Sequence, residues 1–173
     1  MRVLSFVVLT LVLAGCVTAP AGNGSSGAAS SNTATPTQTQ SFVAALEAKR
    51  GSALTLAERL QVQGLTGTAK VGLNNAQNNF LNKVGAQVGL NGAVISAMFP
   101  EAGKPLSENA AVAKIESSLG KKLTVADQTA VKAATALRNN SLASLKTGLA
   151  ASIGSRIGMS TEVVLALMPM LGL

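Results

Sequence analysis

The chain has 173 residues, a net charge of +7, 47 % apolar and only 2 % aromatic residues, one cysteine and no histidine, tryptophan or tyrosine. Metal chemistry lacks its usual nitrogen and sulfur ligands, histidine-based acid–base catalysis lacks its residue, and a single thiol allows no disulfide framework within the chain. Nucleic-acid binding by stacking lacks aromatic residues among the cations, so no nucleic-acid partner is expected.

The first element is a leader. Arg2 is the only charge before Glu47, and residues 3–12 are apolar apart from Ser5 and Thr10. Ten such residues are too few for a bilayer core, which takes about 20. A positive start, a short apolar run and the small residues Ala14 and Gly15 describe a secretory signal peptide over residues 1–15. The motif "LAGC" at 13–16 resembles the lipobox of bacterial lipoproteins. The resemblance covers only these first sixteen residues. It implies a diacylglyceryl group on the Cys16 thiol, cleavage before Cys16, and acylation of the new amine. Two or more acyl chains anchor a protein firmly where one does so only marginally. In Gram-negative lipoproteins an aspartate after the cysteine goes with inner-membrane retention. Val17 stands there instead, so the resemblance implies an outer-membrane protein facing the periplasm.

Residues 16–40 read as the lipidated cysteine and a flexible tether. After Val17 the segment is Gly, Ser, Thr, Ala, Asn, Gln and Pro without a charge, too polar to offset its ordering entropy.

Residues 41–173 read as one all-α domain. Its core must be made of Ala, Val, Leu, Ile and Met with Phe42, Phe80 and Phe99, and nothing alternates with the period of a strand. Slid by 69 residues, the body matches itself. "LTLAE" at 54–58 falls on "LTVAD" at 123–127, "VGLNGAVISAMFP" at 88–100 on "IGMSTEVVLALMP" at 157–169, and "FVAALEAKRG" at 42–51 on "AVAKIESSLG" at 111–120. The expectation is two tandem, similar multi-helix units, 42–104 and 111–173.

In chain order, Ser41 is expected to cap a short helix ending at Gly51, whose counterpart ends at Gly120. Thr55 with Glu58 has capping-box spacing, and Thr124 with Asp127 resembles it. Gly64, Gly67 and Gly72 are expected to break or loosen the second helix of the first unit, and Asn139–Asn140–Ser141 to be the weak point of that of the second. An apolar stripe follows in each, through Leu73, Ala76, Phe80, Val84, Val88 and through Leu142, Leu145, Leu149, Ile153, Ile157. Gly89 and Gly158 suit left-handed caps, Asn91 and Ser160 suit starts of a last short helix, and Pro100 and Pro169 suit its end.

Candidate sites are few. Ser118–Lys121, Ser107–Asn109 and Lys146–Gly148 are fragments of a serine-acyltransferase signature in the wrong order; Gly85 and Gly154 suit a tight helix crossing; Glu47 and Glu116 are equivalent and either meet across an internal axis or lie on the surface. No catalytic, metal or cofactor site is read, and no enzyme is expected. The expectation is a lipid-anchored, non-enzymatic interaction or structural module of the envelope. Its partners would be the membrane through Cys16, an envelope protein, or an anionic envelope component such as lipid, lipopolysaccharide or cell-wall polymer, which suits the basic balance. The alternative is a carrier of an apolar ligand such as lipid, in a groove between the units lined by Leu73, Phe80, Val84, Val88, Leu142, Leu145, Leu149, Ile153 and Ile157. The apolar tail at 163–173 would either pack between the units or add an adaptable Met-rich surface.

Overall fold

A computed structural model describes residues 37–173; the leader, Cys16 and the tether up to residue 36 lie outside the described residues. The described residues hold six α-helices, one 3-10 turn and no strand. The helices are α1 Gln38–Arg50, α2 Leu56–Val88, α3 Gly92–Met98, α4 Glu108–Leu119, α5 Val125–Ile157 and α6 Thr161–Leu167, closed by the 3-10 turn Met168–Leu171. No described helix is long and apolar enough to cross a membrane.

Local chemistry sets the ends. Thr55 and Glu58 form a reciprocal capping box at α2. At α5 the shorter Asp127 accepts from the Thr124 hydroxyl, 2.7 Å away, rather than from the Thr124 backbone N–H, and its own N–H bonds back to that oxygen. Asn91 and Ser160 cap α3 and α6. Gly89 and Gly158 end the long helices at φ 68°, in the left-handed region that a side chain disfavours. The first helix starts earlier than expected. Thr37 and Gln40 form a capping box of their own, so α1 opens at Gln38, within the polar run read as tether, and Ser41 is inside it.

The expected breaks in the long helices do not occur. α2 runs unbroken through Gly64, Gly67 and Gly72, and α5 through Asn139, Asn140 and Ser141. A glycine costs a helix only about 1 kcal/mol, which the packed face of a 33-residue helix outweighs. Gly64 and Gly67 face open space, with nothing within 4 Å of an added Cβ. Each should therefore gain about 0.5–1 kcal/mol of stability on substitution by alanine, read as a rise in the denaturation midpoint.

The long helices run antiparallel and share two cores, one at each end. The first joins α1 and the start of α2 (Phe42, Leu46, Val62, Leu73) to the second half of α5, α6 and the tail (Leu149, Ile153, Ile157, Val164, Met168, Leu173). The second joins the later part of α2 and α3 (Phe80, Val84, Ile95, Phe99) to α4 and the start of α5 (Ala111, Ile115, Val131). There Phe80 and Phe99 meet edge to face at 5.3 Å. Each core thus draws on both halves of the chain. The tail packs inward through Val164, Met168, Leu171 and Leu173, while Leu165 and Met170 stay about 40 % exposed.

Glu47 and Glu116 each hold the loop that follows their own helix. Glu47 Oε1 accepts from the Leu54 N–H and from Arg59 Nε, both at 2.9 Å. Glu116 accepts from Lys122 Nζ at 2.7 Å, the Leu123 N–H at 3.1 Å and Gln128 Nε2 at 3.3 Å. The Leu54 N–H, with Arg59 behind it, holds Glu47 below the usual carboxylate range, and Lys122 followed by the Leu123 N–H does the same for Glu116. A depressed folded-state pKa adds stability that is whole above the unfolded value, about 4.3 for glutamate, and is lost as pH falls through the folded value. Melting temperature should therefore fall on acidification from about pH 5 downward. The double variant Glu47→Gln, Glu116→Gln should show a flatter acid limb in melts across that range.

Candidate functional site

The site lies on the α2–α5 pair. Both helices have 33 residues, which at 1.5 Å per residue is about 50 Å of shared length. Gly72 sits against Leu145, Gln77 against Arg138 and Gln87 against Asp127, the descending order of an antiparallel pair. A shallow groove follows one face of this pair. One half, about 330 Å³, is lined by Leu65, Thr68, Ala69, Ser144, Leu145, Gly148, Leu149 and Ser152. The other, about 290 Å³, is lined by Ala76, Asn79, Phe80, Lys83, Ala134, Leu137, Arg138 and Ser141. On α5 the lining residues step by three and four through both halves, and on α2 Gly72 fills the one missing step, so the halves share a face. In the middle, Leu145 Cδ2 occupies the space a side chain at Gly72 would need, 2.9 Å from an added Cβ.

Seven of the eight lining positions in each half correspond at a spacing of 69. Leu65 pairs with Ala134, Thr68 with Leu137, Ala69 with Arg138, Ala76 with Leu145, Asn79 with Gly148, Phe80 with Leu149 and Lys83 with Ser152. Their chemistry differs. The first half carries no charge and is walled by leucine, alanine, glycine and hydroxyls. Its counterpart carries Lys83 and Arg138.

Arg138 is 4 % exposed. Its five N–H donors all find acceptors. Nε donates to Gln77 Oε1 at 2.6 Å, Nη1 to the Lys104 carbonyl at 2.9 Å and Asn139 Oδ1 at 3.4 Å, and Nη2 to the carbonyls of Glu101 at 2.6 Å and Ala102 at 3.0 Å. None of these acceptors is a carboxylate, so the charge is satisfied by dipoles and left uncompensated. Burial pulls its pKa below the usual guanidinium value. The Phe80 ring lies 5.6 Å from Cζ, close enough for a cation–π contact. Around Arg138, Gln77 Nε2 donates to the Phe99 carbonyl at 2.6 Å, and Asn139 both donates to and accepts from the Leu106 backbone. Together these side chains hold the connection from α3 to α4. On its far side a pocket of about 250 Å³ is lined by Phe99, Lys104, Leu106, Lys114 and Arg138 among others; Lys104 is paired there with Glu101 at 2.7 Å.

The nine residues read as a groove are divided by the fold. Leu73, Leu142, Leu149, Ile153 and Ile157 pack in the first core, Phe80 and Val84 in the second, with Val88 packed against it. Leu145 and Leu149 line the uncharged half of the groove, and Phe80 lines the charged half. Lys83, Arg138 and Gln77 were missed in the sequence. The available signal was the stripe through Val131, Thr135, Leu142 and Leu149, on which Arg138 falls as a charge at a core position.

The remaining motifs resolve into structural parts. Ser107 caps α4, Gly120 ends α4 between Ser118 and Lys121, and Lys146–Gly148 lie inside α5. An added Cβ at Gly85 or Gly154 would lie 2.9 Å from the Leu90 carbonyl or 2.6 Å from that of Met159. Their tight approach is therefore to the loop that closes their own helix, rather than to a second helix. Among the described residues no group of three or more His, Cys, Asp or Glu is gathered to hold a metal ion. Comparison with protein-family models, curated proteins and solved structures gave no match.

Proposed function

We propose that the chain is a lipid-anchored protein of the bacterial envelope, in the outer membrane facing the periplasm, whose helical domain works as a non-enzymatic interaction module. The observation that carries this reading is "LAGC" at 13–16 behind a ten-residue apolar run, with the first described helix at Gln38–Arg50. Membrane attachment then belongs to Cys16, and the described helices are left to act in water. Fractionation of cells expressing the intact chain tests this. The wild-type protein should sediment with membranes, and Cys16→Ser should release it or leave it uncleaved. Equal membrane retention of a fully processed Cys16→Ser protein would overturn the anchor.

We further propose that the domain arose by tandem duplication of one three-helix unit. In support, α5 and α6 begin and end 69 residues after α2 and α3. Glu47 and Glu116 make the same bond to the N–H seven residues on, and seven groove positions recur at that spacing. Gly103 and Gly172, also 69 apart, touch each other, as equivalent residues on an internal twofold axis would.

A second reading, a carrier, is favoured by one observation: the groove along α2 and α5 has a half with no charged lining residue, bordered by the partly exposed Leu65 and Leu145. In this reading an apolar ligand lies along the long helices, on their open face, while the side chains between the two units fill the cores.

A further inference from the structure

We propose that the α2–α5 groove binds an anionic amphiphile lengthwise, its acyl chain against Leu65, Ala69 and Leu145 and its headgroup at Lys83. This rests on the carrier reading and is independent of the anchor on Cys16.

Two equivalent half-grooves differ in charge. Where one half has Ala69, Gly148 and Ser152, the other has Arg138, Asn79 and Lys83. An apolar ligand without a head would be served by two apolar halves, and a purely polar one by two polar halves. One face that passes from uncharged and small-walled to cationic matches a molecule with a tail and a negative end.

The two cations have separate tasks. Arg138 has committed all five donors to carbonyl and amide oxygens, so it contributes positive potential without contacting the ligand. Lys83 is exposed, lines the groove, and is joined in no ion pair among the described residues. It is the group free to meet an anionic head, and Asn79 one turn before it offers amide donors. Asp127, further along this face, is already engaged by Gln87 Nε2 and the Thr124 hydroxyl, both at 2.7 Å. In the other half, Gly148 borders open space with nothing within 4 Å of an added Cβ. A large side chain there would fill the groove without displacing the fold.

Native mass spectrometry of the full chain carrying Cys16→Ser, released from non-ionic detergent, tests the proposal with two probes. These are lysophosphatidylglycerol and lysophosphatidylcholine of the same acyl chain. The expected result is a one-to-one adduct, with the anionic probe preferred by about fivefold, the size of one exposed charge contact. Lys83→Ala should abolish that preference and keep the adduct. Gly148→Phe should abolish both adducts while the melting temperature stays level or rises. Adducts that form without preference, or a preference that survives Lys83→Ala, would overturn the proposal and leave the carrier reading standing. Absence of any adduct, or adducts insensitive to Gly148→Phe, would overturn the carrier reading in this groove as well.

Discussion

Arg138→Ala is expected to destabilise the domain by about 3–5 kcal/mol, because it strands several acceptors at roughly 1–3 kcal/mol for each one left unsatisfied when buried. The substitution deletes five hydrogen bonds at once and leaves the carbonyls of Glu101, Ala102 and Lys104 without their donor. It also removes the partner of Gln77 Oε1, whose amide nitrogen holds the Phe99 carbonyl. The bonds to the Glu101, Ala102 and Lys104 carbonyls are only part-buried, which places the expectation toward the lower bound. A loss of 3 kcal/mol corresponds to a melting-temperature drop on the order of 10 °C for a domain of this size. Arg138→Lys should recover less than half of the loss, because an ammonium has three donors on a point charge where the guanidinium presents five in a planar fork. Denaturant titration gives the magnitude, and limited proteolysis gives the location: cleavage should rise between residues 99 and 106. A loss under about 1 kcal/mol, the size of an ordinary surface contact, would contradict this account of the cluster.

Gly103→Val is the second large effect. A Cβ on Gly103 would overlap the carbonyl oxygen of Gly172, and that contact is to backbone, which has no rotamer to yield. The chain end must therefore lift away, exposing Leu171 and Leu173, which are 3 % and 6 % exposed in the native packing. Unburying two leucines at about 1.5–3 kcal/mol each gives an expected loss of about 3–6 kcal/mol. Deleting residues 172–173 removes the carbonyl that clashes but also the Leu173 side chain. The deletion and Gly103→Val should then combine to much less than the sum of their separate losses, as for any pair sharing one contact. Additive losses would show that the clash is not with the chain end. Gly148→Ala, where nothing lies within 4 Å, is the matched control and should stabilise the helix slightly.

These two sites also mark where sequence reasoning stopped. Helix ends at Thr55, Gly89, Asn91, Thr124, Gly158 and Ser160 were readable because a cap depends on residues within one turn of it. The start of α1 was not read, since Thr37 and Gln40 are camouflaged in a polar run. Continuity through Gly64, Gly67, Gly72 and the Asn139–Ser141 segment was misjudged for a different reason. The local penalties are real, but the partner helix that outweighs them is over sixty residues away in sequence. The stripes at 73–88 and 142–157 were found by periodicity, yet periodicity does not say which neighbour buries them. Leu73 joins Leu149 and Ile153 in one core while Phe80 and Val84 join Ile115 and Val131 in the other. The groove was legible only in its Leu145, Leu149 and Phe80 walls. Its character comes from Ala69, Gly148, Ser152, Lys83 and Arg138, residues that acquire meaning only when α2 and α5 lie side by side.

The proposed envelope function depends on the chain being held at the membrane by lipid on Cys16. Intact-mass analysis of the protein purified from its native membrane tests that most directly. The expected chain begins at Cys16 and is heavier than its sequence by a diacylglyceryl group, with or without a third acyl group, and fragment ions place the whole excess on that residue. A chain that still carries residues 1–15 and an unmodified Cys16 thiol would contradict it.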